Sequence, residues 1–179
     1  LLPACNTVIF DEAHQLPEVA TLFFGDTVST AQILDLARDA RAEGLTNARD
    51  CLDLQTGSKA LEKVAKDLRL AVGIDAGRFS YGQLLEKPEF APALKLLEEE
   101  VTKFAAILET QAERAEGLEK CWQRALELVQ RLGHWQKVAD DGYVRWAEAF
   151  TQSLQLNSTP LDVAEIFRKQ MGGHPRAWI

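Results

Sequence analysis

The chain has 179 residues, 46% of them apolar and 26% charged, which is enough for one packed domain, or a domain with an appendage, and excludes a peptide or a disordered tail. Twenty Lys and Arg against 27 Asp and Glu give a net charge of −7, so the surface is not the basic slab of a non-specific nucleic-acid coat, and any contact with a polyanion is local. No apolar run approaches the ~20 residues that span a bilayer, so a soluble protein with no membrane partner is expected. Cys5, Cys51 and Cys121 contain no CxxC pair; they outline neither a disulfide framework nor a zinc site and fit a reducing cytoplasm. The chain opens on Leu1 and holds Met171 as its single methionine, as expected of a piece of something longer.

Residues 6 to 10, Asn-Thr-Val-Ile-Phe, are a short β-branched and aromatic run that ends in Asp11-Glu12, the pattern of a buried parallel strand with charge at its carboxyl end. From Ser29 the period becomes helical. Ser29 with Gln32 forms a capping-box signature, Ile33, Leu34, Leu36, Ala37 and Ala40 supply the apolar stripe, and Gly44 is placed to close a helix over about 30 to 43. A second helix is expected from near Ser58 to Gly73, with Leu61, Val64, Ala65, Leu68 and Val72 on one face and a looser helical segment over 45 to 57. The glycine-bearing stretch from Gly73 to Pro88 reads as a loop.

Beyond Pro92 the apolar positions Leu94, Leu97, Val101, Phe104, Leu108, Leu118, Trp122, Ala125, Val129 and Leu132 recur by threes and fours, the seam of a helix pair broken or kinked at Gly117. Asp140-Asp141-Gly142 signals a turn, after which Val144, Trp146, Leu154 and Leu156 alternate with polar residues as in one or two strands. Thr159-Pro160 reads as a helix cap and first helical residue, Val163, Ile166 and Phe167 as the buried face, and Gly172-Gly173 as the stop. Ala177-Trp178-Ile179 begins another strand.

A strand, about 130 mostly helical residues, one or two strands, a helix and a strand make a mainly α chain, best understood as a helical insertion flanked by elements of an α/β domain. Residues 1–28 would carry the first strand and its following loop, 29–142 the helical domain, and 143–179 the return. Charge follows the same division, net −8 up to residue 120 and +1 from 121 on, so the later segment suits a polyanion better.

The strongest chemical signal is Val8-Ile9-Phe10-Asp11-Glu12-Ala13-His14, a hydrophobic strand delivering two adjacent carboxylates and an imidazole at its carboxyl end. In a P-loop nucleotide hydrolase the acid at that position holds Mg²⁺, largely through water, because the hard cation prefers oxygen and keeps much of its hydration shell; Asp11 fits. The next carboxylate orients the attacking water and accepts its proton as the γ-phosphate departs; Glu12 fits. The alternative is a solvated helix start, where carboxylates are favoured by the dipole. The spacing is not the HExxH of a zinc hydrolase.

Extended to Gln15-Leu16-Pro17, this run resembles the DEAH-box branch of superfamily 2 helicases, and within it the XPD-like DinG and YoaA group. The far end, with Ser158-Thr159-Pro160-Leu161-Asp162-Val163-Ala164 and Arg176-Ala177-Trp178-Ile179, is similar to the segment these helicases place just before their motif III. The resemblance implies that the stretch between is the arch domain, a helical insertion in the first RecA-like motor domain. It implies ATP-driven 5′ to 3′ unwinding in DNA repair or replication, with Mg²⁺ and ATP as cofactors, single-stranded or forked DNA as partner, and a repair or replication protein as a candidate partner on the arch. His14 would couple nucleotide state to the DNA-side motifs. The family's 4Fe–4S cysteines lie upstream of the DEAH strand and match none of the three here, so the cluster is expected in the parent and not in this chain. With no GxxxxGK[ST] loop in its sequence, the isolated chain is not expected to hydrolyse ATP. The resemblance further implies that strand 6 to 10 lies parallel and adjacent to strand 176 to 179.

Other residues carry two readings each. Trp122 and Trp135 fall near the helical stripe and are core residues or, exceptionally, base-stacking platforms. Arg124, Arg131 and Lys137 belong to a solvated helix face or reach phosphates. Arg145 and Trp146 either meet DNA or pair and pack; Ser158 and Thr159 either bind a phosphate at a helix start or simply cap it. For the whole chain, the alternative to a helicase segment is a non-catalytic helical protein-interaction module.

Overall fold

The structure, a computed structural model, describes residues 8–9, 12, 14, 25–137, 142–161 and 177–178. In chain order these contain β1 (Val8–Ile9), β2 (Asp26–Ser29), α1 (Thr30–Asn47), α2 (Leu52–Ala71), β3 (Gly77–Ser80), α3 (Tyr81–Leu85), α4 (Phe90–Gln111), a 3₁₀ turn (Ala112–Arg114), α5 (Glu116–Lys137), β4 (Tyr143–Ala149), β5 (Leu154–Pro160) and β6 (Ala177–Trp178). The expected mainly helical chain with short strands is found, with a small four-stranded antiparallel sheet joined to the helices.

α1 begins where Ser29 still holds strand geometry, φ −120° and ψ 148°. Its Oγ accepts the Gln32 N–H at 3.2 Å, and Gln32 Oε1 accepts the Ser29 N–H at 3.0 Å. The expected capping box thus satisfies donors that a helix start would leave unpaired. The helix does not stop at Gly44, which is buried mid-turn where a Cβ would run into Leu54 of α2. Close approach of two helices, not backbone freedom, explains glycine there. Gly44→Ala should therefore destabilise the fold by about 1–2 kcal/mol, the clash with fully buried Leu54 outweighing alanine's helix propensity. Gly133→Ala, on α5 with nothing within 4 Å of the added methyl, should stabilise it by about 0.5–1 kcal/mol; denaturant midpoints of the two variants check both signs.

α2 starts at Leu52, not near Ser58; of the segment expected to be loosely helical, 45–47 end α1 and 52–57 belong to α2. Ser58 is fully buried inside it, its hydroxyl donating to the Leu54 carbonyl at 2.7 Å, which is how a residue suited to a cap is accommodated mid-helix. α4 and α5 form the expected seam: Leu97, Val101, Leu108, Leu118, Ala125 and Leu132 are completely buried, each such leucine contributing about 1.5–3 kcal/mol. The break between them is the 3₁₀ turn, ahead of Gly117, which lies in the first turn of α5 against the carboxylate of Glu43. Arg114 of that turn grips Asp50 with two hydrogen bonds, which hold the Asp50 carboxyl below its ordinary range.

The loop expected from Gly73 to Pro88 is instead ordered as β3 and α3. Its signal was a second capping box: Ser80 Oγ accepts the Gln83 N–H at 3.4 Å and Gln83 Oε1 accepts the Ser80 N–H at 2.8 Å. β3 gains its order from pairing with β4, Arg78 opposite Glu148 and Ser80 opposite Trp146.

The sheet runs β2-β5-β4-β3. The two strands expected from Val144, Trp146, Leu154 and Leu156 are β4 and β5, a hairpin closed by the Phe150 N–H on the Ser153 carbonyl at 2.8 Å. Thr159 and Pro160 do not cap a helix as expected; they end β5, opposite Val144 and Tyr143. Pro160 is tolerated because it closes the strand, where a lost ladder donor costs little. The helix expected from 160 to 172 lies outside the described residues. One sheet face packs on the helices, with Val28, Ala147, Ala149, Leu154 and Leu156 joining their core.

Two pairings make this unit an excursion from one place in a chain. β2, which leads into α1, lies antiparallel beside β5, the last strand to leave, with Asp26 opposite Ser158. Separately, β1 pairs with β6 in parallel, Val8 opposite Ala177 and Ile9 opposite Trp178. That is the pairing expected of strands 6–10 and 176–179.

Candidate functional site

The carboxyl end of β1 carries the residues singled out from the sequence. Glu12 and His14 are exposed, and Glu12 Oε2 lies 3.1 Å from His14 Nδ1. Glu12 adopts φ 53°, the only positive φ outside glycine among the described residues. A glutamate held in the left-handed region costs of order 1 kcal/mol and is characteristic of turns built to aim a side chain. The turn presents one carboxylate to solvent just past the strand, with an imidazole at hydrogen-bond distance. Asp11 lies outside the described residues. The donor chemistry suits Mg²⁺, which takes carboxylate oxygen directly or through water and completes its shell with phosphate oxygens. Among the described residues no three His, Cys, Asp or Glu side chains converge on a metal position.

The other candidates fall on β4 and β5, and strand alternation separates them. Arg145 faces inward. Its guanidinium stacks 3.6 Å from the Tyr81 ring centroid and lies 5.7 Å from that of Trp135, and its Nη1 donates to the Trp135 and Gln136 carbonyls at 3.2 Å each. It thereby caps the last turn of α5, a structural task for a cation at a helix C-terminus. Ser158, its partner across the ladder, is completely buried, with no hydrogen bond to its hydroxyl among the described residues.

Trp146 faces outward and is half-buried. Its indole N–H donates to Thr159 Oγ1 at 3.4 Å, and the guanidinium of Arg78, on β3, sits 5.0 Å above its ring. Arg78 in turn donates to Glu148 at 3.1 Å. Beside them Asn157 Oδ1 accepts from Thr27 Oγ1 and Gln155 Nε2 at 3.0 and 2.9 Å. This face is a polar, hydrogen-bonded surface with one aromatic ring and one stacked cation. Trp146 and Thr159 thus meet, while Arg145 and Ser158 belong to the opposite face. Arg78 was missed by sequence reasoning because it lies in the stretch read as loop.

Trp135 is a core residue: 1% exposed, edge-on to Tyr81 and Phe90, with its N–H on the Asn157 carbonyl at 3.0 Å. Trp122 packs against the same core. Arg124 is paired with Asp39 at 2.6 Å and Arg131 with Glu127 at 3.8 Å, so the α5 cations spend their charge within the molecule; the Lys137 side chain lies outside the described residues. His134, also on α5, meets Asp26 of β2 at 2.7 Å. Cys121 is 3% exposed and burial raises its thiol pKa, as befits a packing residue and not a thiolate. No described helix is long and apolar enough to cross a membrane.

The chain thus makes a helical excursion bracketed by β2 with β5 and by the parallel pair β1 and β6, and its sequence is similar throughout to part of a DNA helicase. Over all 179 residues the chain is 33% identical to the ATP-dependent DNA helicase YoaA of Escherichia coli strain K12. Over 180 aligned residues it is 31% identical to the ATP-dependent DNA helicase YoaA of Haemophilus influenzae. It spans 28% of the length of each, so it corresponds to a segment of a YoaA-type helicase. No protein-family model matches the chain.

Proposed function

We propose that this chain is the part of an ATP-dependent DNA helicase that runs from the Walker B strand, through the arch, to the strand before motif III. The observation that carries the reading is the parallel pair β1 and β6, with β2 beside β5: the chain leaves a sheet, builds a helical unit and returns next to its point of departure. An insertion between neighbouring motor strands requires that geometry. Whole-length similarity to two YoaA helicases supports the same reading.

In this assignment Asp11 would hold Mg²⁺, which would supply charge stabilisation at the phosphates of a bound triphosphate; Glu12 would activate the attacking water, and His14, in contact with Glu12, would couple that event to the DNA side. The phosphate loop, the second motor domain and the cysteines of a 4Fe–4S cluster belong to the rest of the parent, so the segment by itself is inactive. The parent moves 5′ to 3′ on single-stranded or forked DNA in repair or replication. The outer sheet face guides the strand: the Arg78 guanidinium, now over the Trp146 ring, swings off it to a phosphate, a base stacks in its place and Thr159 fixes the indole; Arg145 and Ser158 support this face from behind.

The test is unwinding by the intact protein. Duplexes with a 5′ single-stranded tail should be opened in the presence of Mg²⁺ and ATP, and Trp146→Ala should weaken binding to the tail by about tenfold, the usual worth of one stacked base. Opening of 3′-tailed duplexes alone would overturn the polarity, and failure on both would overturn the helicase assignment.

A further inference from the structure

On the side of the helical unit where the carboxyl half of α2 meets the start of α4, the two helices leave an open groove of about 380 Å³. Val64 and Asp67 line it from α2, three residues apart. Glu89, Ala93 and Leu96 line it from the other side at spacings of four and three. Both walls therefore follow the helical period, and each is about 10 Å long, or two helical turns. Leu70, which completes the first wall, is 71% exposed and Leu96 is 53% exposed. These two leucines stand out together on the rim of one apolar trough, while Leu61, Ala65 and Leu68 fill the core from the other face of α2.

The charge on the rim decides what can fill the trough. Asp67 and Glu89 are the charged residues lining it, and neither has an ion-pair partner among the described residues. A polyanion is repelled. A second copy of this chain docked symmetrically would bring the same two carboxylates against themselves, since a two-fold interface matches each patch with its own image. A basic, amphipathic partner is attracted on both counts.

We propose that this groove docks an amphipathic helix of a partner protein, with two turns of its apolar stripe against Leu70 and Leu96 and its Lys or Arg side chains on Asp67 and Glu89. The mode is helix-in-groove recognition, read by apolar anchors at i, i+3 or i+4, and i+7. It uses none of the residues assigned above to nucleotide or DNA and does not depend on the helicase reading.

The probe is an amphipathic peptide of about 18 residues, long enough to hold a helix, with a leucine stripe flanked by arginine; its twin carries glutamate in place of arginine. Binding to the intact protein is followed by fluorescence anisotropy. The basic peptide should bind saturably and the acidic one at least tenfold more weakly. Leu96→Ser should reduce affinity by about tenfold or more, as loss of an anchor does, and Asp67→Asn with Glu89→Gln should erase the preference for the basic peptide. Leu96 is exposed enough for its replacement to leave the fold intact, which thermal unfolding checks. No binding, equal binding of both peptides, or indifference to Leu96→Ser overturns the proposal. Self-association abolished by Leu96→Ser overturns it in favour of a second copy.

Discussion

Glu12→Gln in the intact protein should leave nucleotide binding within a few-fold of normal and lower DNA-stimulated ATP turnover by about 10²-fold or more, the range over which a positioned general base acts. Glutamine has the same length and still offers Oε1 to His14, which lies 3.1 Å from the present carboxylate, so the turn and its partner are kept. The charge and the ability to take a proton from water are lost. In the proposed assignment binding should survive, because there it would rest on the parent's phosphate loop and on a Mg²⁺ that Asp11 would hold, neither of which the substitution touches. Glu12→Gly separates chemistry from backbone strain: it relieves the left-handed φ of 53° and should be as inactive as the glutamine variant. Nucleotide affinity by titration and turnover by phosphate release measure the two quantities independently. Unchanged turnover in Glu12→Gln would remove the catalytic reading of the Asp-Glu-Ala-His run and leave the chain a helical interaction module.

The parts of this fold that could be read from the letters are those whose physics is local. The Ser29 and Gln32 cap, the leucine period of α4 and α5, and the alternation that became β4 and β5 each act over a few residues, and each was legible. The parallel pairing of β1 and β6 is long-range; it came from resemblance, since no local signal joins positions 8 and 177. β3 was hidden because Gly77-Arg78-Phe79-Ser80 offers a single apolar side chain and owes its order to β4, nearly seventy residues away. Gly44 was read as a stop because glycine usually marks one, whereas its role here is to let Leu54 in. At the candidate site, Arg145 and Trp146 were treated as one basic and aromatic pair, although adjacent residues of a strand point to opposite faces. Once β4 is known, only Trp146 remains available on the outer face. Ser158 is likewise turned inward by the same alternation.

Arg69→Met should destabilise the protein by about 3 kcal/mol, the combined loss of the hydrogen bonds its guanidinium gives to buried carbonyls. Arg69 is 6% exposed and lies on the apolar stripe of α2, one turn beyond Ala65. Its Nε donates to the Phe150 carbonyl at 2.6 Å, Nη1 to the Gly73 carbonyl at 2.6 Å and Nη2 to the Ile74 carbonyl at 3.5 Å. No carboxylate pairs with it among the described residues, so carbonyl dipoles alone hold the charge. The fork closes the carboxyl end of α2, where helix and turn carbonyls would otherwise lack donors, and ties it to the β4–β5 turn at Phe150. Methionine fills the volume but donates nothing, leaving these carbonyls without the donors they now have, at about 1–3 kcal/mol for each that water cannot reach. Lysine is a point donor and cannot span Phe150 and Gly73 together, so Arg69→Lys should recover less than half of the loss. Denaturant unfolding measures the totals. Amide exchange adds a local test: in Arg69→Met, protection should fall first at the Phe150 to Ser153 turn and at Gly73, before α4 and α5 respond. A loss below about 0.5 kcal/mol, the level of an ordinary surface substitution, would mean that water replaces the guanidinium and that the hairpin is held to the helices by apolar contacts alone.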